Sequence, residues 1–184
     1  MSYIPEDSRF EERPKAIKSW QRKVYDLLKD AGVTHFSYVP DAGHAQLIEW
    51  SASDPDVYSI PLSTEEEGVG ISIGAHLGGG RSVLLMQSSG VGNCVNALAL
   101  VKGGGFPFFT LVSMRGDFGE GNPMQVPMGQ ATRTVLEASG ITCLCIDDEK
   151  DVEQTIKASL VMNIQSELSV AVLLGQKLLG AKKF

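Results

Sequence analysis

Cysteine is scarce in this sequence, and basic residues are outnumbered by acidic ones. The three cysteines, Cys94, Cys143 and Cys145, are odd in number and form no Cys-x-x-Cys pair, so neither a disulfide framework nor a zinc knuckle is indicated. The formal net charge of -6 leaves no basic stripe that could track a phosphate backbone, which argues against nucleic acid as a partner. We expect a protein of a reducing cytoplasm.

Long apolar runs are lacking as well. No run reaches the roughly 18 residues that a membrane span requires, and charges interrupt residues 1–30 throughout, unlike a signal peptide. We therefore expect neither a membrane span nor secretion. Residues 1–15 carry two prolines and seven charged residues without an apolar period. They are interpreted as an N-terminal arm, followed by a single domain over residues 16–184.

Strands alternate with helices along the rest of the sequence. Strands are predicted at 35–39, 57–61, 82–86, 107–112, 141–146 and 168–174, and helices from 16, up to about 53, at 65–77, after 92, at 130–138 and at about 152–164. This alternation predicts an α/β protein with a three-layer, doubly wound, mostly parallel six-stranded sheet. Ligands bind beyond the carboxyl ends of such strands, where the segments 41–44, 63–67, 87–92 and 113–127 are expected.

Three adjacent carboxylates, Glu65, Glu66 and Glu67, lie at a predicted strand-to-helix junction. The free N–H groups of a helix N-terminus favour negative charge by about 0.3 to 1 kcal/mol each. Ser63 or Thr64 suits the N-cap, with Glu66 or Glu67 closing a capping box. Capping explains one or two of the carboxylates, but not why all three cluster.

A second motif, Gln87-Ser88-Ser89-Gly90-Val91-Gly92-Asn93, places glycines at a predicted strand-to-helix turn. Backbone N–H groups at such a turn could meet an anion or a flat ring. The geometry of a tight turn is an equally good reason for the glycines. The motif is not the dinucleotide fingerprint, because Val95 stands where the third glycine is required, and no Walker lysine follows.

Together, residues 64–75 and 89–93 resemble the pyrimidine-binding domain of thiamine-diphosphate enzymes, and most closely that of sulfopyruvate and phosphonopyruvate decarboxylases. In those enzymes the helix opens with a similar acidic run and ends in a glycine nine residues after its key glutamate. Gly74 lies nine residues after Glu65 in this sequence. The resemblance extends from about Tyr25 to Gly140.

The resemblance implies that Glu65 hydrogen-bonds N1′ of the cofactor's aminopyrimidine, with Glu66 as the alternative if the helix register is shifted by one. In general, a carboxyl group buried against an aromatic ring can share a proton with a ring nitrogen. Glu67 is expected to face solvent or a partner. The remaining cofactor-binding residues implied by the resemblance are Gln87, Ser88, Ser89, Gly90, Gly92 and Asn93.

Two further sets of polar residues are substrate candidates. Residues 39–44 correspond to a segment that reaches the substrate pocket of related decarboxylases, so Asp41 and His44 are candidates for handling protons or orienting a carboxylate. The alternatives are an Asx turn or helix cap for Asp41 and an exposed polar role for His44. Arg115 and Arg133 flank the long loop and suit a sulfonate or phosphonate, although either could instead bind a partner chain or a surface carboxylate.

The Gly-Asp-Gly motif that marks the Mg²⁺ and diphosphate domain of these enzymes is missing, and residues 115–119, Arg-Gly-Asp-Phe-Gly, come nearest to it. The sequence also ends too early for a second domain. We therefore expect a separate diphosphate-binding (beta) subunit that holds most of the metal site, in an α2β2 or larger hetero-oligomer. The sulfopyruvate decarboxylases that this sequence resembles are split into two subunits, whereas phosphonopyruvate decarboxylases carry both domains in one chain. The resemblance to a split enzyme therefore favours sulfopyruvate.

The predicted function is accordingly that of the pyrimidine-binding subunit of a thiamine-diphosphate-dependent 2-oxo acid decarboxylase, with sulfopyruvate as the expected substrate. The alternatives are phosphonopyruvate or another 2-oxo acid, a non-catalytic regulatory relative, and a nucleotide-binding α/β domain.

Overall fold

The computed structural model describes residues 19–181, in which strands and helices alternate as predicted. The N-terminal arm predicted for residues 1–15, and the helix start predicted at residue 16, lie outside this range. The elements are α1 (Ser19–Asp30), β1 (His35–Tyr38), α2 (Ala45–Ser53), β2 (Tyr58–Pro61), α3 (Glu65–Leu77), β3 (Ser82–Gln87), α4 (Ser88–Gly104), β4 (Phe109–Ser113), α5 (Val126–Ala138), β5 (Thr142–Ile146), α6 (Val152–Ile164), β6 (Val170–Leu174) and α7 (Gln176–Leu179).

All six strands form one parallel sheet in the order β2-β1-β3-β4-β6-β5. The chain leaves β1 for β2 on one side and returns to β3 on the other side of β1. The direction of winding therefore reverses between β1 and β3, and such a switch point opens a crevice at the carboxyl ends of the strands. The predicted α/β class and strand number are confirmed.

Two separate cores cover the two faces of the sheet. One core packs α1, α2 and α6 against side chains such as Phe36, Leu85 and Leu111. The other packs α3, α4 and α5 against Leu84, Met86 and their neighbours. All five residues of β4 and of β6 are buried, as expected for strands covered on both faces. The three-layer prediction is therefore confirmed.

The structure differs from the predicted elements at the starts of α4 and α5 and in one unpredicted helix. Helix α4 begins at Ser88 rather than after Gly92. Helix α5 begins at Val126, four residues before the predicted start, and a 3₁₀ turn at Pro123–Gln125 precedes it. Pro127 was read as part of the loop, but proline is well tolerated in the first helical turn, where its missing N–H costs nothing. The short helix α7 was not predicted. Among the described residues, no helix is long and apolar enough to cross a membrane.

Candidate active site

Glu65 opens α3 and points inward, unlike its two acidic neighbours. Its side chain is only 8% exposed, and its Oε2 accepts a 2.8 Å hydrogen bond from Asn93 Nδ2. Glu66 and Glu67 are exposed. Glu67 Oε2 accepts a 2.9 Å bond from the backbone N–H of Ser63, one residue before the N-cap, Thr64, whose side chain makes no capping bond, so the predicted capping box is not formed. Helix geometry therefore separates one enclosed carboxylate from two at the surface.

Gly90 allows the Glu65 side chain to lie directly on α4. A Cβ atom at position 90 would lie 2.5 Å from Cγ, Cδ and Oε1 of Glu65, closer than real side chains allow. At Gly92, by contrast, a Cβ would meet only Met128 Sδ, at 3.4 Å. Both glycines were expected in a turn before α4, but they belong to its first turns. Close approach of a side chain, rather than turn geometry, accounts for Gly90.

Asp41 joins the carboxyl ends of three neighbouring strands. Its Oδ1 accepts a hydrogen bond from Gln87 Nε2 at 3.0 Å, at the switch point between β1 and β3. Its Oδ2 accepts from Ser113 Oγ at 2.6 Å, at the end of β4, and from the Gly43 backbone N–H at 2.9 Å. Ser89 Oγ extends this series of hydrogen bonds by donating to Gln87 Oε1 at 3.0 Å.

The bond from the Gly43 N–H is the Asx-turn contact considered as an alternative for Asp41. Asp41 thus makes its local turn and also contacts two other strand ends, so the two interpretations are compatible. Ser113 was not singled out from the sequence, because no local motif marks a serine at the end of a buried strand.

His44 lies beneath the Asp41 loop and is fully buried, so the expectation of an exposed polar residue was wrong. Its Nε2 lies 3.2 Å from the Met86 carbonyl oxygen, which can only accept. Burial lowers the pKa of the imidazole, which favours the neutral ring. Ser88, a predicted cofactor ligand, is also fully buried, and its Oγ instead accepts from the Arg115 backbone N–H at 3.1 Å.

The two candidate arginines have different surroundings. Arg115 is buried and donates from Nε and Nη2 to Glu120, at 2.6 and 2.7 Å. This pairing lowers the pKa of Glu120 to about 2 and raises the pKa of Arg115, to which the charge of Asp41 contributes least. Arg133 instead donates to Glu137 at 3.1 Å and to Cys145 Sγ at 2.8 Å. We call Asp41, Gln87, Ser89 and Ser113 the Asp41 cluster. Arg115 adjoins it, because its backbone N–H donates to Ser88 Oγ, between Gln87 and Ser89 in the sequence.

Within residues 19–181, no group of three or more histidine, cysteine, aspartate or glutamate side chains is arranged to hold a metal ion.

Curated relatives match over most of the chain. Sulfopyruvate decarboxylase subunit alpha of Methanococcus maripaludis is 38% identical over 152 residues, covering 82% of this chain and 91% of the relative. This chain belongs to the sulfopyruvate decarboxylase alpha-subunit family. The resemblance inferred from residues 64–75 and 89–93 is therefore confirmed. No family model matches the sequence.

Two further relatives are longer proteins of which only about a third aligns. Sulfopyruvate decarboxylase of Methanosarcina acetivorans is 35% identical over 130 residues, which cover 70% of this chain and 33% of that protein. Phosphonopyruvate decarboxylase of Streptomyces viridochromogenes is 31% identical over 134 residues, covering 72% and 34%. The sulfopyruvate decarboxylase name thus also occurs on a longer chain, so a split into subunits does not by itself separate the two activities.

A solved structure shares the fold. The 2-oxoglutarate:ferredoxin oxidoreductase of Magnetococcus marinus superimposes with a TM-score of 0.69 at 18% identity, covering 88% of this chain and 29% of that one. At this identity the likeness concerns the fold alone.

Proposed function

We propose that this chain is the pyrimidine-binding subunit of a heteromeric, thiamine-diphosphate-dependent 2-oxo acid decarboxylase, and that the assembled enzyme acts on sulfopyruvate. Membership of the alpha-subunit family supports the reaction and the heteromer. The observation that carries the cofactor assignment is the enclosed Glu65 carboxylate, held by Asn93 and seated on Gly90.

The residues around Glu65 fit an aminopyrimidine. Asn93 fixes Oε2 of the carboxylate, whereas no described residue donates a hydrogen bond to Oε1. Glu65 can therefore hold a proton at Oε1 and share it with a ring nitrogen, which is the work of a positioned general acid and base. When bound, thiamine diphosphate supplies the electron sink that decarboxylation requires. Glu66 is the less suitable candidate because it is exposed.

The Asp41 cluster is the proposed substrate side of the site. Three hydrogen bonds to its two carboxylate oxygens orient Asp41 at the crevice between β1 and β3. Arg115 is the proposed ligand of the substrate's anionic substituent, since a guanidinium offers several N–H donors to such a group. Gln87 and Ser89 join these residues through their shared hydrogen bonds. The buried side chain of His44 packs against the Met86 carbonyl group and so holds the start of α2 against β3.

We assign Mg²⁺ and the cofactor's diphosphate mainly to the partner subunit. The alpha-subunit names of the relatives support a second, different subunit. A cytoplasmic location is part of the same proposal, and it is supported by the three free thiols of Cys94, Cys143 and Cys145.

Phosphonopyruvate is the second candidate substrate, since a phosphonopyruvate decarboxylase is among the relatives. Sulfonate and phosphonate groups both suit Arg115. Comparing kcat/KM for the two acids with the same assembled enzyme decides between them.

The direct test replaces each of two neighbouring glutamates by glutamine in the complex with the diphosphate-binding subunit. Glu65→Gln removes the shared proton and is expected to lower kcat for sulfopyruvate by about 10²–10⁴-fold. Glu66→Gln changes an exposed side chain, and kcat should stay within about threefold of the wild-type value. The larger loss at Glu66, or an equal loss at both positions, would contradict the assignment of Glu65.

A further inference from the structure

Glu120 is the centre of a buried hydrogen-bond network in the loop between β4 and α5. Its side chain is 3% exposed and accepts five hydrogen bonds. The donors are Nε and Nη2 of Arg115, the backbone N–H groups of Gly116 and Asn122, and Nε2 of Gln176. A carboxylate with this many donors has a single well-defined position.

Gln176 ties the same loop to the segment after β6. It is 1% exposed, and its Oε1 accepts from the backbone N–H groups of Asp117 and Phe118 at 3.1 and 3.0 Å. Its Nε2 donates to Glu120 Oε2 at 3.0 Å. Because β6 is the neighbour of β4 in the sheet, Gln176 anchors the loop to a rigid element.

Arg115 connects this network to the catalytic edge. Its backbone N–H donates to Ser88 Oγ, at the start of the helix that carries Gly90 and Asn93. Arg115 also lies two residues beyond Ser113, whose Oγ donates to Asp41 Oδ2 at 2.6 Å. Glu120 engages the Nε and Nη2 side of the guanidinium, so the Nη1 side is turned away from Glu120.

The energetics of buried ion pairs suggest a role beyond folding. Burying two charges costs free energy that their attraction often only offsets, and replacing such a pair by apolar residues is frequently neutral or stabilising. A nearly buried pair just beyond the carboxyl end of β4 is therefore better explained by orientation of the cation than by stability. Residues that hold a binding group in place raise affinity by removing the cost of ordering it.

We propose that Glu120 and Gln176 are positioning residues that fix the Arg115 guanidinium for the anionic substituent at C3 of the substrate, and so set the preference for a sulfonated over an unsubstituted 2-oxo acid. This inference rests on the proposed function. It assigns specificity to residues on the β4–α5 loop and after β6, outside the sequence motifs that mark the cofactor site.

The test compares sulfopyruvate with pyruvate, which lacks the anionic substituent, using the assembled enzyme. Glu120→Gln should raise KM for sulfopyruvate about tenfold or more, the effect of disturbing one charge-assisted contact. The kinetic constants for pyruvate, or its inhibition constant if it binds without turnover, should stay within about twofold. Arg115→Lys keeps the positive charge but loses the forked N–H donors of the guanidinium. It should likewise raise KM for sulfopyruvate and leave the constants for pyruvate unchanged. Glu153→Gln is the matched control. It changes a half-exposed carboxylate on α6 that pairs with Lys157, and it should leave the kinetic constants for both acids unchanged.

Thermal unfolding of each variant separates selectivity from loss of fold. An equal loss with both acids, or an unchanged KM for sulfopyruvate in Glu120→Gln and Arg115→Lys, would overturn the positioning role while leaving the proposed function intact. A wild-type complex that decarboxylates no 2-oxo acid would overturn the proposed function, and this inference with it.

Discussion

At the scale of single residues, the contact between Glu65 and Gly90 is the most sensitive point of the site. Gly90→Ala would place a methyl group 2.5 Å from Oε1, Cγ and Cδ of Glu65, so the carboxylate must move. Displacements of about 1 Å in a catalytic group can cost about 10²-fold in rate. We predict a loss of that order in kcat for the assembled enzyme. The measurement is steady-state decarboxylation, with thermal unfolding as the check on the fold.

Gly103→Ala is the matched control in the same helix, because a Cβ atom there meets nothing within 4 Å. Alanine is favoured over glycine in a helix by about 0.5–1 kcal/mol, so this variant should keep full activity and unfold at the same or a higher temperature. If Gly90→Ala is as active as Gly103→Ala, Glu65 does not need its observed position.

The sequence predicts some site residues and misses others for a physical reason. Glu65 is predicted from the resemblance to the decarboxylases, which rests on its spacing to Gly74 within one helix. Ser113 and Gln176 are not found, because their contacts join residues 72 and 56 positions apart across separate elements. Glu120 lies only five residues from Arg115 in one loop, but an irregular loop has no period that would mark the pair. The burial of His44 was likewise missed, since it depends on how the residue before α2 packs against Met86 of β3.

At the scale of elements, α5 fixes the position of the loop that carries Arg115. Gly129 is buried in α5, and a Cβ atom there would collide with the carbonyl oxygen of Arg115. Gly129→Ala should push the helix and the loop apart, and overpacking of this kind typically costs about 1–3 kcal/mol. We predict a lower free energy of unfolding for the chain, measured by urea denaturation.

The control for this prediction is Gly70→Ala in α3, where a Cβ atom meets nothing within 4 Å. Helix propensity alone should then leave the free energy of unfolding equal or higher by about 0.5–1 kcal/mol. Equal stability of the two variants would mean that the loop does not pack against α5 as described.

Element boundaries follow from local chemistry where caps and glycines mark them. The predicted bounds of α3, Glu65–Leu77, and of α6, Val152–Ile164, agree with the structure. The start of α5 does not, because the prolines at 123 and 127 suggested a loop although one opens a 3₁₀ turn and the other the helix. Proline is compatible with both positions, so composition alone could not decide.

At the scale of the whole molecule, the site lies at the carboxyl ends of the strands. Glu65 opens α3 at this end of the sheet, where the winding reverses between β1 and β3. A cofactor bound there needs a second surface to enclose it, since catalytic sites gain strength from excluding water. This is the structural reason to expect the partner subunit at this edge.

The most direct test of this account is calorimetric titration of thiamine diphosphate with Mg²⁺ into this chain, into its diphosphate-binding partner and into their mixture, followed by measurement of CO₂ release from sulfopyruvate. The account predicts that tight binding and CO₂ release both require the mixture. A mixture that neither binds the cofactor nor releases CO₂ from any 2-oxo acid would contradict it, as would full activity of this chain alone.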